Sequence, residues 1–332
     1  MRLIPAIAGL AGLCLVAWLL HTYGIGHVVA LFARAGWLGL SAVIAFHLVE
    51  VAASAAAWHS ISASAAHRPG LSAYLVLRLV REGVNNLLPV AQVGGPVVAT
   101  RLLQRQGMVL PEAIATTIAD LTLEMITQIL FTLLGLTLLL ETVGGHSVAG
   151  TVVAGLIAAT AAVGGFAGAQ WFGLGHVMEW AVLRLGGLLG WDGTAHVAGL
   201  QKALRACYRM PGAVLGGAAW HAISWLLGGV EICLALHVLG HGVSFTTGLV
   251  VESLGQALKT AVFAVPGALG VQEGGYIVIC GLFHVPPEAA IALSLTKRLR
   301  ELVLGLPALA AWHAMERRAP RFAGQTVQDG LP

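Results

Sequence analysis

The chain has 332 residues, of which 58% are hydrophobic and only 10% are charged. Soluble domains carry about 25% charged residues, so this composition excludes an ordinary soluble enzyme and indicates a protein that crosses a membrane several times. The formal net charge is +3 and no run of five basic residues occurs, so a nucleic-acid partner is not expected.

Six segments are apolar and come within a few residues of, or exceed, the length of about 20 residues that crossing a bilayer takes. They are 3–20, 37–58, 111–140, 148–172, 213–239 and 287–315. We expect the first to be a retained span, because it is nearly long enough to cross and no clear signal-peptidase site follows it.

Two other segments, 71–107 and 245–283, are interrupted by proline and glycine. The breaks fall at Pro89 and Gly94 in the first and at Pro266 and Gly270 in the second. Proline ends a helix, and a broken backbone at membrane depth is tolerated only where protein or a cavity surrounds it. Each segment is therefore predicted to be a re-entrant hairpin of helix, break and helix.

The two hairpins belong to a predicted internal repeat. An offset of 177 residues superimposes four pairs of positions: Pro89 on Pro266, Glu82 on Lys259, Asp120 on Lys297, and Glu124 on Glu301. Two of these pairs carry opposite charges, which predicts that the copies perform different tasks. Paired broken helices in two halves are typical of membrane transporters.

Basic residues concentrate in alternate loops, which places both termini in the cytoplasm under the positive-inside rule. The hairpins then enter from opposite faces. We expect an all-α polytopic membrane protein with about six spans and two re-entrant hairpins arranged as two inverted repeats. Its predicted parts are 1–36 (first span and connection), 37–141 (repeat one), 142–211 (connecting span and cytoplasmic amphipathic segment), 212–316 (repeat two) and 317–332 (cytoplasmic tail).

Charged and amide side chains within the hairpins and long spans form the candidate substrate site. A charge at the bilayer centre costs about 2.5–3.5 kcal/mol, so these groups must pair or line water. The predicted substrate-binding residues are Arg78, Arg81, Glu82, Asn85, Asn86, Arg101, Asp120, Glu124, Lys259, Glu273, Lys297, Arg298 and Glu301.

Two interpretations of these charges stay open. They form buried ion pairs that hold helices together, or they bind a headgroup. With Arg105, Glu252 and Arg300 included, basic residues outnumber acidic ones, which favours an anionic or strongly polar headgroup. His47 and Glu50 in span 37–58 form either a buried hydrogen bond or a proton relay.

Other chemistry has little support in the sequence. The four cysteines are dispersed, without a CxxC motif, and are expected to be buried thiols. No zinc-protease, nucleophile-elbow, Walker or dinucleotide motif occurs, so neither a cofactor nor a metal is expected.

The stretches REGVNNLLPVAQVGG (81–95) and PGALGVQE (266–273), followed by Arg298, resemble a known family. It is the flippase-like membrane domain also found ahead of the lysylphosphatidylglycerol synthase catalytic domain, and the chain is most similar to its HpnL-type, hopanoid-associated subgroup. The matching positions are Arg81, Asn86, Pro89 and Gly94 in the first motif and Pro266, Gly270, Glu273 and Arg298 in the second. The chain departs from the pattern at Gly95 and Leu121, where an acidic residue and an arginine often stand.

The resemblance implies translocation of an amphiphilic lipid or hopanoid between leaflets of the bacterial inner membrane, by a transporter rather than an enzyme. A membrane lipid is the expected substrate, and enzymes of lipid or hopanoid synthesis are expected partners. Two alternatives stay open: a lipid-modifying enzyme with Glu82 or Asp120 as its base, and a non-catalytic scaffold for lipid synthesis.

Overall fold

The computed structural model describes residues 17–19, 21–88, 93–143, 199–261 and 268–318. Almost all of the predicted span 3–20, all of span 148–172, and the tail 319–332 lie outside these ranges, as do Pro89 and Pro266. Within the described ranges the regular structure is helical, which confirms the all-α prediction.

Nine α-helices are assigned within the described residues. They are α1 (Ile25–Ile61), α2 (Leu71–Leu87), α3 (Gly94–Arg105), α4 (Leu110–Val143), α5 (Leu200–Tyr208), α6 (Pro211–Val238), α7 (Phe245–Ala261), α8 (Val271–Gly281) and α9 (Pro287–Arg318). A short 3₁₀ helix, Ser62–Ser64, follows α1. Helices α1, α4 and α6 are long and apolar enough to cross a membrane, and with α9 they account for four of the six predicted spans.

Helix α1 is kinked at Gly36, whose backbone has φ 62° and ψ 171°. A positive φ is unfavourable for residues with a Cβ atom, so glycine is suited to this position. The predicted span 37–58 therefore begins immediately after the kink, whereas the helix itself begins earlier, at Ile25.

Both predicted hairpins have the expected sequence of helix, break and helix. In the first, α2 ends at Leu87 and α3 begins at Gly94, and the two helices contact each other. In the second, α7 ends at Ala261 and α8 begins at Val271, again in mutual contact. The side of the membrane from which each hairpin enters stays a prediction.

The helix contacts follow an approximate two-fold pattern in which α1, α2, α3 and α4 correspond to α6, α7, α8 and α9. Helix α2 packs on α9 of the other repeat, and α7 packs correspondingly on α4. Within each repeat the hairpin also contacts the long helix that follows it, through α3 and α4 or through α8 and α9. The interlocked arrangement makes each hairpin part of both repeats' packing.

The corresponding helices α1 and α6 run antiparallel, as an inverted repeat requires. His47 near the middle of α1 pairs with Glu231 late in α6, whereas Ser54 farther along α1 hydrogen-bonds to Ser224, which is earlier in α6. Residues related by the offset of 177 also make corresponding contacts: Gly83 lies against Gly305, and Thr260 is hydrogen-bonded to Gln128.

Two apolar cores hold the bundle together, and each is centred on one repeat. Trp58, Tyr74 and Leu102 are buried in the first, with no exposed surface. Ile232 and Ile291 are equally buried in the second. Burial of each such side chain stabilises the packed helices mainly through close contact, because lipid offers apolar side chains an environment like that of the protein interior.

One end of the bundle collects the exposed basic residues Arg68, Lys202, Arg205, Arg209 and Arg317. Contacts hold this end together: the Ala66 amide donates to Glu112 across 3.1 Å, and the Ser64 hydroxyl lies 3.3 Å from the Cys207 sulfur. Arg34 lies beside Gly240 at the other end. This segregation agrees with the predicted loop charges. Helix α5 is amphipathic, because Leu200 and Cys207 are buried whereas Lys202 and Arg205 are exposed.

Candidate functional site

Charged side chains of repeat one meet in a group that we call cluster one, formed by Arg78, Arg81 and Glu82 of α2 with Asp120 and Glu124 of α4. Arg81 donates to Asp120 across 2.7 Å and also contacts Glu124. Arg78 donates to Glu124 across 2.6 Å and to Glu82 across 2.9 Å. The arginines of the hairpin helix therefore neutralise carboxylates of the long helix, and such charge-assisted bonds are strong.

Cluster two is the corresponding group in repeat two, formed by Glu252 and Lys259 of α7, Glu273 of α8, and Lys297, Arg298 and Glu301 of α9. Lys297 donates to Glu252 across 2.5 Å, and Lys259 donates to Glu301 across 2.8 Å. Arg298 lies 3.4 Å from both Glu273 and Glu301. Here the hairpin supplies the carboxylates Glu252 and Glu273, and the long helix supplies the cations that pair with them. In the third pair the hairpin supplies the cation, Lys259, and the long helix supplies the carboxylate, Glu301.

His47 of α1 links cluster one to Glu231 of α6. Its Nδ1 atom lies 2.8 Å from Glu231 of α6 and 3.2 Å from Glu50, and its Nε2 atom lies 3.6 Å from Glu82. Arg300 of α9 also contacts Glu231. The predicted hydrogen bond between His47 and Glu50 is confirmed. The imidazole bridges a carboxylate of cluster one and one that is held by α9.

The last described turns of α2 and α7, the first helices of the two hairpins, contact each other. Asn86, near the end of α2, accepts a hydrogen bond of 3.2 Å from the Lys259 ammonium of α7. Asp120 and Lys297 both lie ten residues inside their helices, about 15 Å from the helix starts. The charged clusters therefore lie deep within the bundle and not at its ends.

The cluster residues differ in accessibility. Asp120 is fully buried, and Glu252, Glu273 and Lys297 are nearly so. By contrast, the exposed side-chain fractions are 28% for Glu82, 20% for Lys259, and 15% for both Glu124 and Arg298. The buried pairs hold the helices together, whereas this second set, with Asn86, keeps part of its polar surface exposed.

The prediction that cations outnumber anions is wrong for the assembled site. The carboxylates joined there, within the described part of the chain, are Glu50, Glu82, Asp120, Glu124, Glu231, Glu252, Glu273 and Glu301, and the cations are Arg78, Arg81, Lys259, Lys297, Arg298 and Arg300. The carboxylates are therefore in excess. Two histidines also contact these carboxylates: His47 contacts Glu231, and His221 contacts Asp120.

Arg101 lies apart from the cluster residues with which it was grouped. Helix α3 leads away from the hairpin tip, so Arg101 and Arg105 reach Glu316 near the end of α9. Arg105 also donates to the backbone carbonyl of Glu316 across 2.8 Å. These two arginines join α3 to the other repeat's long helix at the basic end of the bundle.

Two predicted site residues anchor the hairpin tips. The Asn85 side-chain oxygen accepts a 2.9 Å hydrogen bond from the Gly95 amide, which joins the two helices of the first hairpin. Glu273 accepts a 2.7 Å bond from the Gly270 amide at the start of α8 and a 3.1 Å bond from Ser294 of α9. Both anchors fix the breaks beside the clusters.

Glycine stands at both hairpin breaks for steric reasons. Gly270 has φ 77°, which favours glycine. A Cβ atom on Gly95 would meet the Arg81 carbonyl oxygen and the Asn85 side chain, so an acidic residue at this position would require a different hairpin packing. The departure from the family pattern at Gly95 thus accompanies a close contact between α2 and α3.

His221 and Glu231 were missed by the sequence interpretation. His221 Nε2 lies 2.9 Å from Asp120, and both groups are buried. The sequence does contain a signal for both residues, because each is ionisable and lies inside the predicted span 213–239, and such residues are functional candidates. Which side of α6 they occupy follows only from the packing of α6 against α1 and α4.

Ligand atoms of His47, Glu50 and Glu231 lie within 4.8 Å of one another. This spacing would suit a small cation, but Arg300 already contacts Glu231. A separate cavity of about 430 Å³ lies elsewhere, where Thr142, Ser244 and His284 are among its lining residues.

Comparison with protein families gives one match, and comparisons with curated proteins and with solved structures give none. The matching family is described as the lysylphosphatidylglycerol synthase TM region, and its model covers residues 5–308. The match includes both hairpins and all the charged cluster residues. The chain therefore belongs to the family of lysylphosphatidylglycerol synthase transmembrane regions.

Proposed function

We propose that this protein moves a lipid with a polar headgroup between the leaflets of a bacterial inner membrane. The family assignment connects the chain with membrane lipids. In this proposal the headgroup binds the accessible charges where the hairpins meet, and the hydrocarbon tail stays in the bilayer. The protein acts as a flippase or scramblase.

The contact between Asn86 and Lys259 carries this proposal most directly. It brings the first helices of both hairpins together deep in the bundle, beside accessible charges. Charges there are unfavourable in an apolar environment, so their retention with some accessible surface indicates a polar ligand or water-filled space. A site built between two inverted repeats is typical of transporters.

The accessible groups carry both signs, which defines the headgroup chemistry. Lys259 and Arg298 suit a phosphate, while Glu82 and Glu124 suit hydroxyl or ammonium donors. A phospholipid with an amino or hydroxyl headgroup supplies both features. A hopanoid with a polyhydroxylated side chain supplies the second, and the subgroup resemblance favours including it.

Reconstitution into vesicles tests the proposal. Headgroup-labelled fluorescent phospholipid is followed by its exposure to a quencher added outside, with wild-type protein, Arg298→Gln and Arg101→Gln. We expect wild type and Arg101→Gln to move lipid, and Arg298→Gln to be about tenfold slower, as loss of one charge-assisted hydrogen bond predicts. Equal rates for wild type and protein-free vesicles, with the phospholipid and with a labelled hopanoid, would contradict the proposal.

A lipid-modifying enzyme is the second candidate, favoured by the accessible carboxylate of Glu82. Asp120 is unsuited to act as the base, because it is fully buried between Arg81 and His221. An enzyme would change lipid masses in cells that overexpress the protein, and Glu82→Gln would abolish the change. A transporter leaves the masses unchanged and alters only the distribution between leaflets.

A further inference from the structure

The two-fold pattern creates two corresponding crossings between the repeats, α2 with α9 and α7 with α4. The offset of 177 residues relates Gly83 to Thr260 and Gly305 to Gln128. The contacts obey the same relation: Gly83 lies against Gly305, and Thr260 is hydrogen-bonded to Gln128. The two crossings can therefore be compared residue by residue.

The α2–α9 crossing is apolar and closed. A Cβ atom added to Gly83 would lie 3.1 Å from the carbonyl oxygen of Gly305 and 3.5 Å from the Ala308 side chain. Small residues allow such a close approach of two backbones. Leu79 and Leu75, one and two turns earlier on α2, pack against the first apolar core.

The α4–α7 crossing is polar at the corresponding positions. Gln128 donates across 2.7 Å to the exposed Thr260 and lies 3.4 Å from the Gln256 carbonyl oxygen. The Gln256 side chain in turn donates across 2.7 Å to Glu252, which is paired with Lys297. A chain of hydrogen-bonding groups thus runs from the surface of the bundle to a buried ion pair.

The chemical difference between the crossings is systematic. Gln256 and Glu252 occupy the positions that Leu79 and Leu75 occupy in repeat one. Lipid tails cannot hydrogen-bond, so polar side chains at a bundle surface are favoured where polar ligand atoms or water reach them. Glu124 lies one turn from Gln128 on α4 and so shares its face.

We propose that the lipid headgroup passes between the bilayer and the charged clusters through the α4–α7 crossing, with Gln128, Thr260 and Gln256 as its polar contacts. The α2–α9 crossing stays closed. This inference rests on the proposed function, because it names the route to the same site. Lys259 adjoins Thr260 in sequence and receives the headgroup at the inner end of the route.

Spin-label accessibility tests the route independently of transport. Single cysteines replace Gln128, Leu130 and Leu306 in a variant in which Cys14, Cys207, Cys233 and Cys280 are changed to alanine. Leu130 and Leu306 are matched controls, since they are 60% and 59% exposed on α4 and α9. In vesicles, the label at position 128 should collide more often with a water-soluble nickel chelate than with oxygen, and the controls should show the reverse. The oxygen-dominated pattern at all three positions would overturn the route.

The second test measures lipid transport by a variant, called the sealed variant, in which the polar contacts of the α4–α7 crossing are replaced by apolar side chains. Gln128→Leu with Thr260→Val should slow lipid movement about tenfold, the factor expected from loss of a hydrogen-bonding contact, while Leu130→Ala should leave it unchanged. An unchanged rate in a sealed variant that elutes as a folded protein would overturn the route while the proposed function stands. If wild type moves no lipid, the proposed function fails, and the accessibility result alone decides whether this crossing admits polar molecules.

Discussion

In repeat one, hairpin helix α2 supplies Arg78 and Arg81 and long helix α4 supplies carboxylates, whereas in repeat two α7 and α8 supply Glu252 and Glu273 and α9 supplies the matching cations. Within the two clusters, the Lys and Arg ion pairs thus lie inside one repeat. Opposite charges at matched positions are each neutralised locally and do not pair across the two-fold axis.

The contacts that cross between the repeats inside the site are of a different kind. They involve histidine or an uncharged side chain: His221 with Asp120, His47 with Glu231, and Asn86 with Lys259. Within the two clusters, each repeat therefore pairs its own Lys and Arg side chains, and the Arg101 and Arg105 pairs with Glu316 cross between the repeats only at the basic end of the bundle. Rocking of one repeat against the other, the common motion of inverted-repeat transporters, would leave the strong pairs intact.

Removal of Arg81 should have the largest effect on stability. Arg81→Ala leaves the fully buried Asp120 and the nearby Glu124 with less neutralisation, and breaking a buried pair in this way lowers the free energy of unfolding by about 3–5 kcal/mol. Unfolding of the detergent-solubilised protein measures the loss. A change below about 1 kcal/mol, typical of exposed pairs, would contradict the view that the buried Arg81 pairs hold α2 to α4.

Exchange of charges distinguishes pairs inside a repeat from pairs across the axis. Glu252→Lys and Lys297→Glu should each destabilise, by about 3–5 kcal/mol, and the double variant should recover most of the loss. The control exchanges the matched positions, Asp120→Lys with Lys297→Asp, and should recover none. Recovery in the control would show that the repeats are coupled by charge. Thermal unfolding of wild type, the four single variants and the two double variants gives the comparison.

Alanine placed at the corresponding positions Gly83 and Thr260 should distinguish the two crossings. Gly83→Ala places its Cβ atom 3.1 Å from the Gly305 carbonyl oxygen, so overpacking should cost about 1–3 kcal/mol. Thr260→Ala, at the exposed corresponding position, should change stability by less than about 0.5 kcal/mol. Melting temperatures measured in one detergent test the difference, and equal effects would mean that the crossings are packed alike.

A small effect is expected at the basic end. Glu316 pairs with Arg101 and Arg105, and its side chain and theirs are partly exposed. Glu316→Gln should therefore cost at most about 1 kcal/mol, and less at high salt. Unfolding at two salt concentrations measures this, and lipid movement should be unchanged. A loss of transport would place this end in the mechanism.

The hairpins and the repeat could be predicted from sequence because proline, glycine and charge interrupt an apolar pattern at regular places. The offset derived from Pro89 and Pro266 also relates Gly83–Gly305 to Thr260–Gln128 in space. These features depend on local backbone chemistry and spacing along the chain, which a single sequence contains.

The membership of the charged site could be predicted only in part. Arg101 lies outside it because α3 leads away from the break, and His221 and Glu231 enter it because one side of α6 meets α1 and α4. Both facts depend on how helices are oriented in three dimensions. The predicted cation surplus failed for the same reason, since composition does not assign charges to a common site.

The central claim is that the junction of the two hairpins binds the lipid headgroup. A photoreactive amino acid at Asn86, and at Arg101 as a control on the same hairpin, tests it in cells, with captured lipids identified by mass spectrometry. We predict that position 86 captures lipid through its headgroup and that position 101 does not. Capture at position 101 alone, or equal capture at both positions, would contradict the claim.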